Sequence, residues 1–376
     1  MTPRGAYVAR LDLDVPHHAG VVKKMRAQVA ALRTALGPVD HVAVRGLSVV
    51  SDDRVLWRQA PGPFARQRLL ALGFYPGLVS RLAAYDYLYI RYQRSTPMFI
   101  RMLRMLRRRN AARPVFVEIP TFPYEAEQTS RRDRALGLVD RMTRPGMRGT
   151  VDRIVTFSDR ESIFGIPTIR TQNGVDLGAI RPMDAAPDLG PLRLVAVANL
   201  GLRHAYDRVI AGLAAYRGER PVVFEIIGSG SAEAGLRAQA AGLGLSRSVT
   251  FAGPLDGAPL DARLRGAHLG IAALGMHRIG TSTTDLKSRE YCARGLPFVT
   301  SNPDADFGEG FECAFKAPAD DSPIDIAALV GFHDRLRARH PDFPARMRAH
   351  AEARLGWDAK MEPVVDELRT LFIRKE

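Results

Sequence analysis

The stretch TSTTDLKSREYCARGLPFVT, Thr281 to Thr300, reads as a loop, a capped helix, a stop and a buried strand. Ser282, Thr283, Thr284 and Asp285 each carry a side-chain oxygen able to hold a free amide of a first helical turn. The helix is expected from about Asp285 to Arg294, with Gly295 at the left-handed C-terminal position and Pro297 blocking continuation. Phe298 and Val299 then open a strand, so this part of the chain is an α/β layer. Unpaired amides and the helix dipole converge at such a helix start and make it an anion site. Lys287 adds a point charge there, and Glu290 lies about one turn further along. A phosphate near Lys287 and a sugar diol on Glu290 fit one nucleotide lying across the helix start. An ordinary capped helix explains the same pattern.

The same alternation runs along the whole chain. Strands are expected at 6–13, 39–44, 87–91, 115 onward, 153–157 and 166 onward, with helical segments between them. It restarts at LRLVAVANLG (192–201) and continues through DRVIAGLAAY, VVFEIIG, VTFAG and LGIAAL to the stretch above. The Pro/Asp-rich spacer from Pro182 to Pro191 precedes the restart. A chain of 376 residues suits two domains. The fold expected is α/β, with two Rossmann-like domains facing one cleft.

Charge is unevenly placed. Residues 1–185 hold 30 Lys/Arg against 16 Asp/Glu, and residues 186–376 hold 24 of each, so the whole +14 excess lies in the first half. A basic domain beside a neutral one suggests an anionic partner, either nucleic acid or a membrane surface. Arginines scattered along helices without an aromatic-rich motif speak against nucleic acid. In PMFIRMLRMLRRRN (97–110) apolar residues share a helix with five arginines, a core helix with a basic edge or a helix lying on a membrane surface. Two cysteines, Cys292 and Cys313, make neither a disulfide framework nor a zinc site and favour a reducing compartment. His17 and His18 are adjacent rather than spaced as ligands, and no metal site is expected. No apolar run of about eighteen residues and no signal-peptide pattern occurs. The expected location is the cytoplasm, at the inner face of the cytoplasmic membrane if the basic half meets lipid.

In the first half, HHAGVVKK places Gly20 and Val21 in a loop feeding a helix, with Lys24 in its first turns. VFVEIPTFPYEAE is a buried strand ending in a polar loop, where Glu118, Thr121, Tyr124 and Glu127 cluster at the end that binds ligands in open sheets. In the second half the Gly228-Ser229-Gly230 turn lacks the third glycine of the dinucleotide fingerprint.

Taken in order, these segments resemble the retaining GT-B glycosyltransferases of family 4, in a bacterial polysaccharide-type branch. NGVD (173–176), AVANLGLRHAYDRVI, IIGSG, LGLSRSVTFAG and LKSREYCARGLPFV follow the family's order and spacing. HHAGVVKK resembles its acceptor-side glycine loop, and YIRYQRSTP with VEIPTFPYEAE resembles the polysaccharide branch. The resemblance implies an acceptor-side domain at 1–186, a donor domain at 187–356, and a final helix at 357–376 returning to the first domain. It implies a nucleotide-diphosphate sugar as donor, a saccharide or lipid-linked acceptor, no cofactor and no required metal. Gly20, Val21, Lys24, Arg91, Glu118, Thr121, Tyr124 and Glu127 fall on the acceptor side. Asn199, Arg203, His204, Arg208, Gly228, Gly230, Phe251, Gly253, Thr283, Thr284 and Leu286 fall on the donor side. The family's two glutamates have seven residues between them. The second is Glu290, and the first position holds Ser282, which is not acidic, so Asp285 substitutes or the contact has changed. The family's phosphate-loop arginine and lysine fall on Asn199 and His204, leaving Lys287, Arg203 and Arg208 as phosphate cations. The missing acid keeps open a second reading, a catalytically weakened homologue that binds nucleotide sugar as a partner subunit.

Overall fold

The computed structural model describes residues 2–15, 18–120, 122–124, 131–279 and 285–373. They form two compact units, Met1–Gln172 with Lys360–Glu376, and Asn173–Ala359. The division falls before Asn173 rather than in the proline-rich spacer. Val175 and Ile180 are buried in the second unit's core, and the Val175 amide donates to the Leu355 carbonyl (2.9 Å).

In the first unit β1 (Gly5–Asp12), β2 (Val39–Arg45), β5 (Tyr87–Arg91), β6 (Val115–Ile119), β7 (Arg153–Thr156) and β9 (Ile166–Arg170) run parallel. Antiparallel strands β3 (Ser48–Ser51), β4 (Arg54–Arg58) and β8 (Ser162–Ile163) extend the edges. The order is β4-β3-β2-β1-β5-β6-β7-β9-β8. All of β6 is buried, as expected of a strand covered on both faces. The β3–β4 hairpin corrects the expectation of helix between β2 and β5. Its turn residue Asp52 takes a left-handed backbone (φ 51°), and β-forming valines flank it. The helix Pro97–Arg109 is capped by Thr96 and buries Phe99, Met102, Leu103 and Leu106, which makes it a core helix. Part of the helix Trp357–Ile373 belongs to this unit. Phe372 meets Tyr87 edge-on, and Glu367 pairs with Arg153 at 2.6 Å.

The second unit has six parallel strands: β10 (Leu192–Val197), β11 (Val222–Ile227), β12 (Val249–Gly253), β13 (Leu269–Ile271), β14 (Phe298–Thr300) and β15 (Ala314–Lys316). Their order is β12-β11-β10-β13-β14-β15, the doubly wound arrangement. On one face the helices Asp207–Ala215 and Glu233–Gly242 bury Val209, Ile210 and Leu236 with Leu194, Ala196 and Phe224. On the other, the helices Gly257–Arg265 and Leu286–Arg294 bury Leu264, Tyr291 and Cys292 with Val195, Ile227 and Phe298. The chain therefore leaves β10 toward one face and the neighbouring β13 toward the opposite face, which opens a crevice between their C-terminal ends. Among the described residues no helix is long and apolar enough to cross a membrane.

Buried histidines set the acid stability. Burial is the leading cause that lowers His41, His204 and His268 to about 4, against about 6.5 in an unfolded chain. Between those values the unfolded chain binds more protons, so stability is full above pH 6.5 and falls as pH approaches 4. Urea midpoints followed by circular dichroism should fall steeply between pH 6 and 4. A midpoint flat over that interval contradicts the neutral, buried state of these rings.

Candidate functional site

In the second unit the loops after β10 and β13 are stitched across the crevice. Leu274 N–H donates to the His204 carbonyl (3.1 Å) and Gly275 N–H to that of Arg203 (2.9 Å). Arg208 braces this junction. Its buried guanidinium donates to the carbonyls of Leu274 (2.7 Å), Ser322 (2.8 Å) and Pro318 (2.9 Å). Those donors are spent on backbone, so Arg208 is a structural brace and not the phosphate cation that the sequence suggested.

The glycines join neighbouring loops by close backbone approach. Gly228 has φ +126°, and a Cβ there would lie 1.8 Å from the Ala198 carbonyl oxygen. A Cβ at Gly230 would lie 2.3 Å from that of Leu200. Gly228 N–H donates to Gly253 O (2.8 Å) and Leu200 N–H to Ser229 O (2.8 Å). The loops after β10, β11 and β12 thus form one rim, with Asn199 exposed on it. Phe251 on β12 is half-buried beneath the Arg237 guanidinium, 4.4 Å from its ring centre.

The helix Leu286–Arg294 starts and stops where its caps predict. Asp285 accepts Lys287 N–H on one carboxylate oxygen (3.2 Å) and Ala273 N–H on the other (2.9 Å). Both oxygens serve as cap and tie, and the helix start is fixed to the β13 loop. Gly295 closes the helix at φ +81°. Arg289, which sequence reasoning passed over, is fully buried and donates to Asp285 O (3.1 Å), to Asp304 (2.7 Å) and to Asp306. The only signal for it was the acidic pair in Pro303-Asp304-Ala305-Asp306 downstream. Leu286 and Glu290 are exposed, and Lys287 is half-buried.

Lys287, Arg203 and His204 share one field. Burial first, then the positive charges of Lys287 and Arg203, hold the His204 imidazole down at about 4. His204 is therefore neutral near pH 7, and its Nδ1 lies 3.2 Å from the Gly201 amide nitrogen and 3.3 Å from the Gly201 carbonyl oxygen. Lys287 and the exposed Arg203 remain as the cations. Ser282, Thr283 and Thr284 lie outside the described residues.

In the first unit Glu118 is the centre of a buried network. Its carboxylate meets Arg91 (2.7 Å) and Lys24 (3.3 Å) and accepts from Tyr89 (2.9 Å), Gln28 (3.0 Å) and Tyr7 (3.4 Å). Burial alone would raise its pKa, but Lys24 and Arg91 with the Tyr89 hydroxyl hold it at about 2. Burial brings Lys24 down to about 8 against the pull of Glu118, and its ammonium lies 3.9 Å from the Phe157 ring centre. Two cations on one carboxylate leave a positive spot at the ends of β5 and β6. Gly20 and Val21 sit in the first turn of the helix Ala19–Leu36 rather than in a loop, and a Cβ at Gly20 would meet open space. The Tyr124 hydroxyl donates to the buried Asp140 (2.5 Å). Asp140 also accepts from Tyr92 and from Ser95 N–H (2.6 Å). Tyr124 thus holds the helix Arg131–Thr143 in place. Thr121 and Glu127 lie outside the described residues.

Among the described residues, Asp188, His268 and His333 are close enough together to hold a metal ion. The hydrogen bonds argue otherwise. His268 accepts Arg193 N–H on Nδ1 (2.9 Å) and donates from Nε2 to Pro187 O (3.1 Å). The Arg220 guanidinium sits on Asp188. The cluster ties the spacer to the second unit.

No protein-family model and no curated protein matches the chain. Solved structures do. Sucrose-phosphate synthase from Thermosynechococcus elongatus aligns over 99% of this chain and 100% of its own, at 16% identity and TM-score 0.61. HepE of Anabaena in complex with UDP aligns over 98% and 100%, at 13% identity and TM-score 0.58. A glycosyltransferase from Rickettsia africae aligns over 99% of each chain at 10% identity and TM-score 0.64. The fold is that of the GT-B glycosyltransferases. Its two Rossmann-like units account for both sheets described above.

The Glu118 network yields a direct prediction. Glu118→Gln keeps the shape but leaves Lys24 and Arg91 buried without their counter-charge, a loss of about 3–5 kcal/mol. Thermal unfolding should shift down by several degrees. An unchanged midpoint would contradict the network as a stabilising element.

Proposed function

We propose that the chain is a retaining glycosyltransferase of family 4. It moves a sugar from a nucleotide-diphosphate sugar to a hydroxyl of a saccharide or lipid-linked acceptor. The observation that carries this reading is the convergence, at the β10/β13 crevice, of Lys287, Arg203 and a capped helix start, with Glu290 one turn further along. HepE has also been solved in complex with UDP-glucose, and UDP-glucose is accordingly the first donor to test here.

The chemistry needs the charge of the leaving diphosphate stabilised. We assign that role to Lys287, Arg203 and the amides at the start of the helix Leu286–Arg294, without a metal ion. His204, neutral, contributes hydrogen bonding rather than charge. Glu290 accepts both ribose hydroxyls, which calls for a carboxylate. Asp285 positions the helix, and Ser282 offers a hydroxyl to the donor sugar where the family has an acid. The leaving phosphate oxygen takes the proton of the acceptor hydroxyl, so the anomeric configuration is kept without a separate base. Lys24, Arg91 and Glu118 shape the acceptor side. A second reading, a nucleotide-sugar-binding partner subunit, draws on Ser282 alone. Binding without turnover across a panel of acceptors would favour it.

Glu290→Gln should weaken nucleoside diphosphate binding by about 1–3 kcal/mol through lost charged hydrogen bonds, measured by calorimetry. Because Glu290 is exposed, its thermal midpoint should not move. Unchanged affinity would remove Glu290 from the site. NMR of the first product formed should show the donor's anomeric configuration, and an inverted product would overturn the retaining mechanism.

A further inference from the structure

A surface helix of a globular protein turns its apolar residues inward. The helix Arg131–Thr143 does the reverse. Among its described side chains only Asp140 is buried, held by Tyr92, Tyr124 and the Ser95 amide. Leu138 is 59% exposed and Met142 74%, with Leu136 and Val139 also facing solvent. Leu138 and Met142 are one helical turn apart and form a ridge.

A groove of about 850 Å³ runs beside that ridge, lined by Arg101, Arg104, Arg108, Met105, Met142 and Pro145. The three arginines are spaced three and four residues apart, which places them on one face of the helix Pro97–Arg109. None of them has a carboxylate partner among the described residues. Their neighbours on the same helix are committed elsewhere. Arg107 donates to Thr150 O (2.8 Å) and Asp152 (2.8 Å), and Arg109 donates to Val79 O (3.2 Å). Exposed Arg134 and Arg141 flank the ridge on its own helix.

We infer that the Leu138–Met142 ridge and the Arg101–Arg104–Arg108 groove form a docking face for an anionic lipid bilayer. An apolar ridge bordered by cations matches the bilayer profile, with acyl chains under the apolar residues and headgroup phosphates against the guanidinium groups. Nucleic acid would leave Leu138 and Met142 without a partner. A second copy on a two-fold axis would bring the same arginines toward each other. This inference deepens the lipid-linked-acceptor option of the proposed function, but its test needs no turnover.

The full chain is sedimented with vesicles of phosphatidylcholine alone and of phosphatidylcholine with about 30% phosphatidylglycerol. Binding should occur only to the anionic vesicles and should weaken in high salt. Arg101→Gln/Arg104→Gln/Arg108→Gln should lose on the order of 100-fold in partition, about fivefold per arginine. Leu138→Ser/Met142→Ser should also lose binding, whereas Arg247→Gln/Arg265→Gln, which removes exposed arginines of the second unit, should not. Unchanged thermal midpoints and unchanged nucleoside diphosphate binding show that each variant is folded, so failure here is separable from failure of the proposed function. Equal recovery in the supernatant with both vesicle types overturns the inference. So does equal loss in the second-unit control. A concentration-dependent dimer that Leu138→Ser/Met142→Ser abolishes, without vesicle binding, overturns it in favour of a second copy.

Discussion

Two parallel strands that lie side by side but send their chains to opposite faces cannot close the space between their C-terminal ends. In the second unit β10 and β13 are that pair, and the rest of the candidate donor site hangs on them. The crevice keeps its shape through buried polar contacts. Arg208 gathers three carbonyls of two loops from behind, and Arg289 holds the helix start against Asp304 and Asp306. Burying a guanidinium is costly unless its donors are met. Here they are met largely by loop carbonyls and carboxylates whose positions define the site. These two arginines fix the loops that carry the half-buried Lys287 and the exposed Arg203 and Glu290.

The first unit uses charge differently. Glu118 lies under two cations and three neutral donors, so an ionised carboxylate survives at no exposure. Several of this unit's many basic residues are likewise spent internally. Arg113 donates to Tyr85 O and Ala83 O, and Arg107 donates to Thr150 O and Asp152. The basic excess thus divides into cations that hold the fold and cations that face outward. The outward group includes Arg101, Arg104 and Arg108, beside the ridge at Leu138 and Met142.

Local chemistry was legible in the sequence, and tertiary partnership was not. The helix Leu286–Arg294 could be bounded because Asp285 and Gly295 act through their own neighbours. The strands could be placed because burial on both faces demands unbroken apolar runs. Arg208 looked like a phosphate cation because nothing local shows that loop carbonyls from 274, 318 and 322 converge on it. The burial that keeps His204 neutral likewise comes from the fold and not from its neighbours in sequence. The hairpin Ser48–Arg58 was missed although its valines flank an Asp-Asp turn, since short strands give little periodicity. The arginine-rich helix at 97–109 offered a choice between core and surface. The structure divides the answer, burying its apolar face and leaving Arg101, Arg104 and Arg108 outside.

The central claim is that a nucleoside diphosphate lies across the β10/β13 crevice of the second unit. Hydrogen exchange on the full chain, with and without saturating UDP, tests it most directly. Slower exchange should concentrate in amides 198–204 and 273–290, with smaller changes at 228–230. Protection confined to other segments, or none while calorimetry shows UDP bound, would contradict the account.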